Sequence, residues 1–157
     1  MRPLLIGVRW LVCAAVAVCL CLTMLSHCSF DPGIPNGFIG KETHFDGDGF
    51  QDFTDYCKYY YRDSFPFTDN PKYRCTTAED LEEIRGYFRN FREWMAAEGR
   101  LDEYDFDISR IAPDNYVYIR TREHEPIGDP DVWKYADYTV YYFDVSTSVL
   151  YYIHTNI

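Results

Sequence analysis

The sequence has no Gly-x-Ser-x-Gly elbow, no glycine-rich phosphate loop and no lone cysteine in a suitable histidine context, so the common nucleophile and nucleotide chemistries find no local motif. Its histidines, His27, His44, His124 and His154, show no metal-ligand spacing, and no metal or cofactor is expected. Asn-x-Ser/Thr acceptors, internal repeats and low-complexity runs are all missing. Positive charge is scarce. Residues 29–157 hold all 25 acidic side chains but, with Arg2 and Arg9 set aside, only 13 of the 15 basic ones, a net charge of −12. Such a surface repels phosphate backbones at long range, and nucleic acid is not expected as a partner.

A long apolar run is present only at the start. Trp10 to Leu25 is uncharged, follows Arg2 and Arg9, and is followed by Ser26, His27 and Cys28. A basic stretch before an apolar one is how export signals begin. The run has 16 residues, whereas a membrane-crossing helix takes about 20. Length therefore favours removal as a signal peptide over retention as an anchor. Leu25 to Cys28 also resembles a bacterial lipobox, with Cys28 as lipidation candidate, although His27 stands where that pattern has a small residue. Both arginines precede the run, so the positive-inside rule leaves the remainder outside the membrane. The expected location is extracytoplasmic, secreted or held at the membrane by the N-terminal segment.

Only two cysteines lie beyond the leader, Cys57 and Cys75. In an oxidising compartment two domain cysteines usually pair. A bridge closing that loop is worth about 3 kcal/mol on the chain-entropy model. Cys57 and Cys75 are thus the disulfide candidates, with two free thiols as the other reading.

After the leader, residues 29–47 are rich in glycine and proline and read as a tether, leaving 48–157 as a single domain. Phe50, Phe53, Cys57, Tyr60 and Tyr61 fall at spacings that predict a first helix capped by Asp48. The stretch 62–75 reads as a loop packed by Phe65, Phe67 and Tyr73. A second helix is expected over 78–98, with a Thr76/Glu79 capping box, a stripe of Leu81, Ile84, Phe88, Phe91 and Met95, and Gly99 as its stop. From Asn115 the period changes to two, predicting three strands in YVYIRTR, DYTVYYFD and VLYYIHT, the last two a hairpin. Residues 104–108 leave room for a fourth short strand. The expected fold class is α+β, two helices followed by a three-stranded antiparallel meander with the helices on one face.

Residues 44–55 place acids at several positions of a calcium loop, but His44 stands where the first acid belongs and Asp55 where glutamate is usual, so a turn leading into a helix is the better reading. Arg85, Arg89 and Arg92 recur at helical spacing with Glu82 and Glu93 in reach, which predicts a self-paired face. The remaining signal is 15 tyrosines. In register, the hairpin places Tyr138, Val140, Tyr142, Tyr151 and Ile153 on one face and Tyr141, Phe143, Leu150 and Tyr152 on the other. Two helices on one side cover one face, so the opposite face should meet the long loops, a second copy or a ligand.

Tyr138, Tyr141, Tyr142, Phe143, Tyr151 and Tyr152 are accordingly the interaction-surface candidates, since half-exposed aromatic surface suits protein or glycan recognition. No catalytic residue is singled out. The expected function is a non-catalytic exported binding module at the cell envelope, with membrane contact through the leader if it is kept, and with homo-oligomerisation open. The alternative is a small extracytoplasmic hydrolase using paired carboxylates, recognisable by two convergent acids, at least one with a raised pKa.

Overall fold

The computed structural model describes residues 31–46, 53–121 and 136–156. Gly33–Ile157 forms one compact unit. The leader, Cys28, Asp48 and the long link after the first predicted strand lie outside the described residues.

The architecture is mostly sheet. Strands β1 (Gly40–Asp46), β2 (Phe53–Tyr60), β3 (Arg74–Cys75), β4 (Tyr116–Thr121), β5 (Asp137–Asp144) and β6 (Val149–Asn156) form one antiparallel sheet in the order β1-β2-β6-β5-β4-β3. Among the described residues there is one long helix, α2 (Leu81–Ala97), and a four-residue helix α1 (Phe65–Thr68). The expectation of two helices and a three-stranded meander is therefore corrected, among the described residues, to six strands and one substantial helix. The predicted first helix is instead β2, and residues 101–110 hold two single 3₁₀ turns rather than a fourth strand.

The reason for the first error lies in burial. β2 sits between β1 and β6, with Tyr56 packed on the α2 side and Cys57 and Tyr59 on the other. A strand covered on both faces loses its alternation of apolar and polar residues, and what remains mimics helical spacing.

Helix α2 carries the single stripe that its sequence indicates: Ile84, Tyr87, Phe88, Phe91 and Met95 are buried. Its start differs from expectation. The Thr76 hydroxyl donates to the Ala112 carbonyl (2.8 Å), while the Asp80 carboxylate accepts from the Thr77 N–H (2.8 Å) and hydroxyl (2.9 Å). Only one half of a capping box is thus made, one residue on from the predicted one, since the Asp80 N–H bonds the Thr77 carbonyl (3.1 Å) and not its hydroxyl. Gly99 ends the helix at φ +70°, with the Arg100 N–H returning to the Met95 carbonyl (2.8 Å), the geometry glycine makes cheap. Of the expected self-paired face, Arg85 and Arg89 both bond Glu82, and Arg85 also donates to the Ile111 carbonyl (3.0 Å).

The sheet has two cores. Toward α2, Tyr56, Tyr138, Val140, Tyr142 and Ile153 meet the helix stripe and Tyr104, Phe106 and Ile111. On the opposite face, Cys57, Tyr59, Tyr61, Tyr141, Phe143 and Tyr152 meet Phe67 and Tyr73, with Ile34 packed against them. The expected tether is thus part of the folded unit from Gly33 on. The Tyr73 hydroxyl donates to the Gly33 carbonyl (2.6 Å) and the Tyr61 hydroxyl to the Pro35 carbonyl (2.7 Å).

Gly33 lies on the Tyr141 ring so closely that a Cβ would stand 2.3 Å from its Cζ. Gly33→Ala is therefore expected to cost about 1–3 kcal/mol through overpacking. Urea unfolding checks this; an unchanged midpoint would remove the 33–35 segment from the core.

Candidate functional site

The six aromatic residues expected to form an interaction surface are all buried. Tyr138, Tyr141, Tyr142 and Phe143 have no accessible surface, and Tyr151 and Tyr152 retain less than a tenth. The sheet faces they occupy are the ones expected, but both are covered, one by α2 and residues 104–111, the other by the 33–35 segment and α1. An exposed tyrosine sheet is therefore corrected to a closed one.

The hydroxyls explain why tyrosine is used. Tyr138 donates to the Tyr87 carbonyl (3.1 Å), Tyr104 to the Phe88 carbonyl (3.2 Å) and Tyr142 to the Arg110 carbonyl (2.8 Å), as Tyr61 and Tyr73 do to residues 35 and 33. Each ring fills core and its tip bonds the backbone of the covering segment, worth about 1 kcal/mol net apiece.

Cys57 and Cys75 are not bridged to each other. Cys57 is buried on β2 and Cys75 is exposed on β3, four strands away across the sheet. That separation is roughly 19 Å at the usual strand spacing, and a disulfide needs Cα atoms within about 7 Å. The link between sequence neighbours thus fails because the chain crosses to the far edge. Cys28 lies outside the described residues.

Two polar constellations remain. The first lies where β1 meets β2. Lys58, little exposed, forms an ion pair with Asp105 and lies 3.9 Å from Glu42. Tyr56 donates to Asp105 (2.7 Å) and Tyr60 to Glu42. His44 sits at the bulge of β1; its Nε2 is buried, 3.4 Å from Glu42 without hydrogen-bonding geometry.

Burial pushes the Asp105 carboxyl up, but the Lys58 and Tyr56 hydrogen bonds outweigh it and hold it below the usual range. The Tyr60 hydrogen bond likewise lowers Glu42, and in return Tyr60 is pushed up to about 12. Both acids are thus kept ionised around one ammonium. This is the chemistry of a clamp that ties the edge strand and the 104–107 segment to β2.

The second constellation is an open groove of 440 Å³ beside the β5–β6 turn, lined in part by Arg110, Asn115, Asp144 and Ser146. Its polar groups serve the turn. Asp144, almost fully buried, accepts from the Ser146 N–H (2.9 Å), the Ser146 hydroxyl (2.6 Å), the Thr147 hydroxyl (2.9 Å) and Arg110 (3.3 Å). Asn115 accepts from the Val145 N–H (2.9 Å) and donates to the Tyr142 hydroxyl (2.6 Å). Among the described residues no group of three His, Cys, Asp or Glu side chains is placed to hold a metal ion, and no helix is long and apolar enough to cross a membrane.

Among the described residues, Leu101 and Val145 are exposed apolar side chains apart from one another, and the three most exposed lie at the rim of the second core. Phe38 is 44% exposed, Ile39 62% and Phe65 72%. Phe38 packs edge-on to Tyr59 (5.3 Å) and Tyr61 (6.4 Å), and Tyr61 packs in turn on Phe67 (4.8 Å), two residues from Phe65. The buried ring of Tyr61 therefore joins the 38–39 segment to α1. Sequence reasoning missed these residues because 38–39 lay in the expected tether; the pair of large apolar side chains among glycines and polar residues was the available signal.

Fold and site together define a two-core antiparallel sheet domain with one long helix and an aromatic rim. No protein-family model, curated protein or solved structure matches the chain.

Proposed function

We propose that this protein is an exported, non-catalytic contact module of the cell envelope, and that it works through the rim formed by Phe38, Ile39 and Phe65. The observation that carries this reading is the exposure of three large apolar side chains at the border of a face whose central aromatics are buried. Side chains of that size left in water beside a packed core mark contact surfaces more often than scattered single exposures do. The address comes from the leader, whose basic start and apolar run favour export.

The hydrolase reading asks for a carboxyl carrying a proton near neutral pH. Glu42, Asp105 and Asp144 are all held below the usual range by their donors. That favours contact over acid–base chemistry.

The test is photocrosslinking in whole cells from a benzophenone side chain placed at Phe65, with Glu93, exposed on α2, as the control position. Adducts from position 65 and not from 93 are expected. Equal labelling from both positions, or none from 65, would overturn the contact surface. Protease added outside intact cells should reach the domain; protection from it would overturn the address.

A further inference from the structure

Resting on that reading, we infer that the occupant of the Phe38–Ile39–Phe65 rim is the lipid surface of the membrane to which the leader leads. Three observations point there. The first is distance along the chain. The apolar run ends at Leu25, and Phe38 follows 13 residues later, a reach of at most about 45 Å even when fully extended. If the leader is kept or Cys28 lipidated, the rim is confined beside the bilayer at high effective concentration, and weak insertion then suffices.

The second observation is chemical. The exposed groups are two phenyl rings and a branched alkyl chain, 44–72% accessible, the side chains that partition into the boundary between headgroups and acyl chains.

The third observation is charge. Residues 29–157 carry −12, yet the exposed charged residues nearest the rim in sequence, Lys41, Arg62 and Lys72 against Glu42, Asp63 and Asp69, balance one another. Lys41 lies over the Tyr59 ring (5.5 Å). The sequence around the rim is thus close to neutral within an acidic domain, so this side meets headgroups with little repulsion. The match is to zwitterionic lipid, without a need for anionic lipid.

The experiment uses the full chain reconstituted into phosphatidylcholine vesicles, with Phe65→Trp as reporter and acyl-chain-brominated phosphatidylcholine as quencher. Flotation with the vesicles reports the leader, and quenching beyond that of the parent chain reports the rim. Flotation with added quenching and a blue shift is expected, lost when Phe38→Ser and Ile39→Ser are introduced on the same background. Native-like circular dichroism of that variant shows that the loss is not unfolding.

Flotation with no added quenching would overturn the lipid assignment. If position 65 then crosslinks to protein in cells, the rim belongs to a protein partner. Failure to float would overturn the membrane address instead, which separates the two failures.

Discussion

Phe67→Ala should remove about 3–5 kcal/mol of stability, the range for truncating a fully buried phenylalanine. Phe67 has no accessible surface and lies against four other rings. It stacks on Phe143 at 3.8 Å with 15° between planes, and packs edge-on to Tyr61 (4.8 Å) and Tyr73 (5.0 Å), with Tyr116 at 6.5 Å. These neighbours come from β5, the end of β2, the 70–73 loop and β4, so the cavity cannot collapse by moving one element. A domain of this size has a total stability of about 5–15 kcal/mol, and the variant should be near its limit at room temperature. Phe65→Ala, on the same short helix but facing solvent, should change stability by less than about 0.5 kcal/mol. Urea unfolding of both decides: similar losses, or a small loss for Phe67, would mean that the second core contributes little.

The next largest effect is expected at Asp144. Asp144→Ala leaves the turn donors of Ser146 and Thr147 and the Arg110 guanidinium without their acceptor, at a loss of about 3 kcal/mol. The pH dependence has a definite sign. Burial pushes this carboxyl up, but the hydrogen bonds from Ser146 and Thr147 outweigh burial and leave it below its usual value. A depressed acid contributes fully above its unfolded pKa, about 3.9, and the contribution is lost as pH falls through the folded value. The parent protein should therefore lose stability below about pH 4. Asp144→Asn should fall less steeply over that range, because its side chain has no proton to take up. Asp105 and Glu42 are depressed as well, so the measurement is the difference between the two unfolding-versus-pH curves. Parallel curves would refute the assignment.

Legibility in the sequence followed burial. Helix α2 was readable because it buries one stripe and leaves Arg89 and Arg92 in solvent, so its apolar period survives. The β5–β6 hairpin was readable because its partners are close in sequence; its register places Tyr141 opposite Tyr152 and Tyr142 opposite Tyr151, as alternation requires. β2 was not readable, since both of its faces are covered and its partner β6 lies about a hundred residues away. β3 spans two residues and carries no period at all. β1 is charged and bulged, with exposed Lys41 and Glu42, and so resembles the surrounding loop.

The candidate site failed for a related reason. The face assignment of Tyr141 and Phe143 was right, but what covers that face begins at Gly33 on one side and Phe67 on the other, and neither segment announces its docking. The one signal for it was the set of aromatics in the 62–75 loop, of which Phe67 and Tyr73 pack as expected while Phe65 stays in solvent. The exposed rim followed only once the rest of that aromatic set had been placed.

The position of β6 has a bearing on the proposed export. β6 is the final strand of the sheet yet lies in its middle, joining β1–β2 to β5–β4–β3. Until residues 149–156 are in place, the two halves have no shared strand and neither core can close. Such long-range closure makes folding slow. A chain threaded through a translocon N-terminus first would thus stay unfolded, and hence transportable, until its last strand had been synthesised. Its assembly would then be completed on the far side in a single late step.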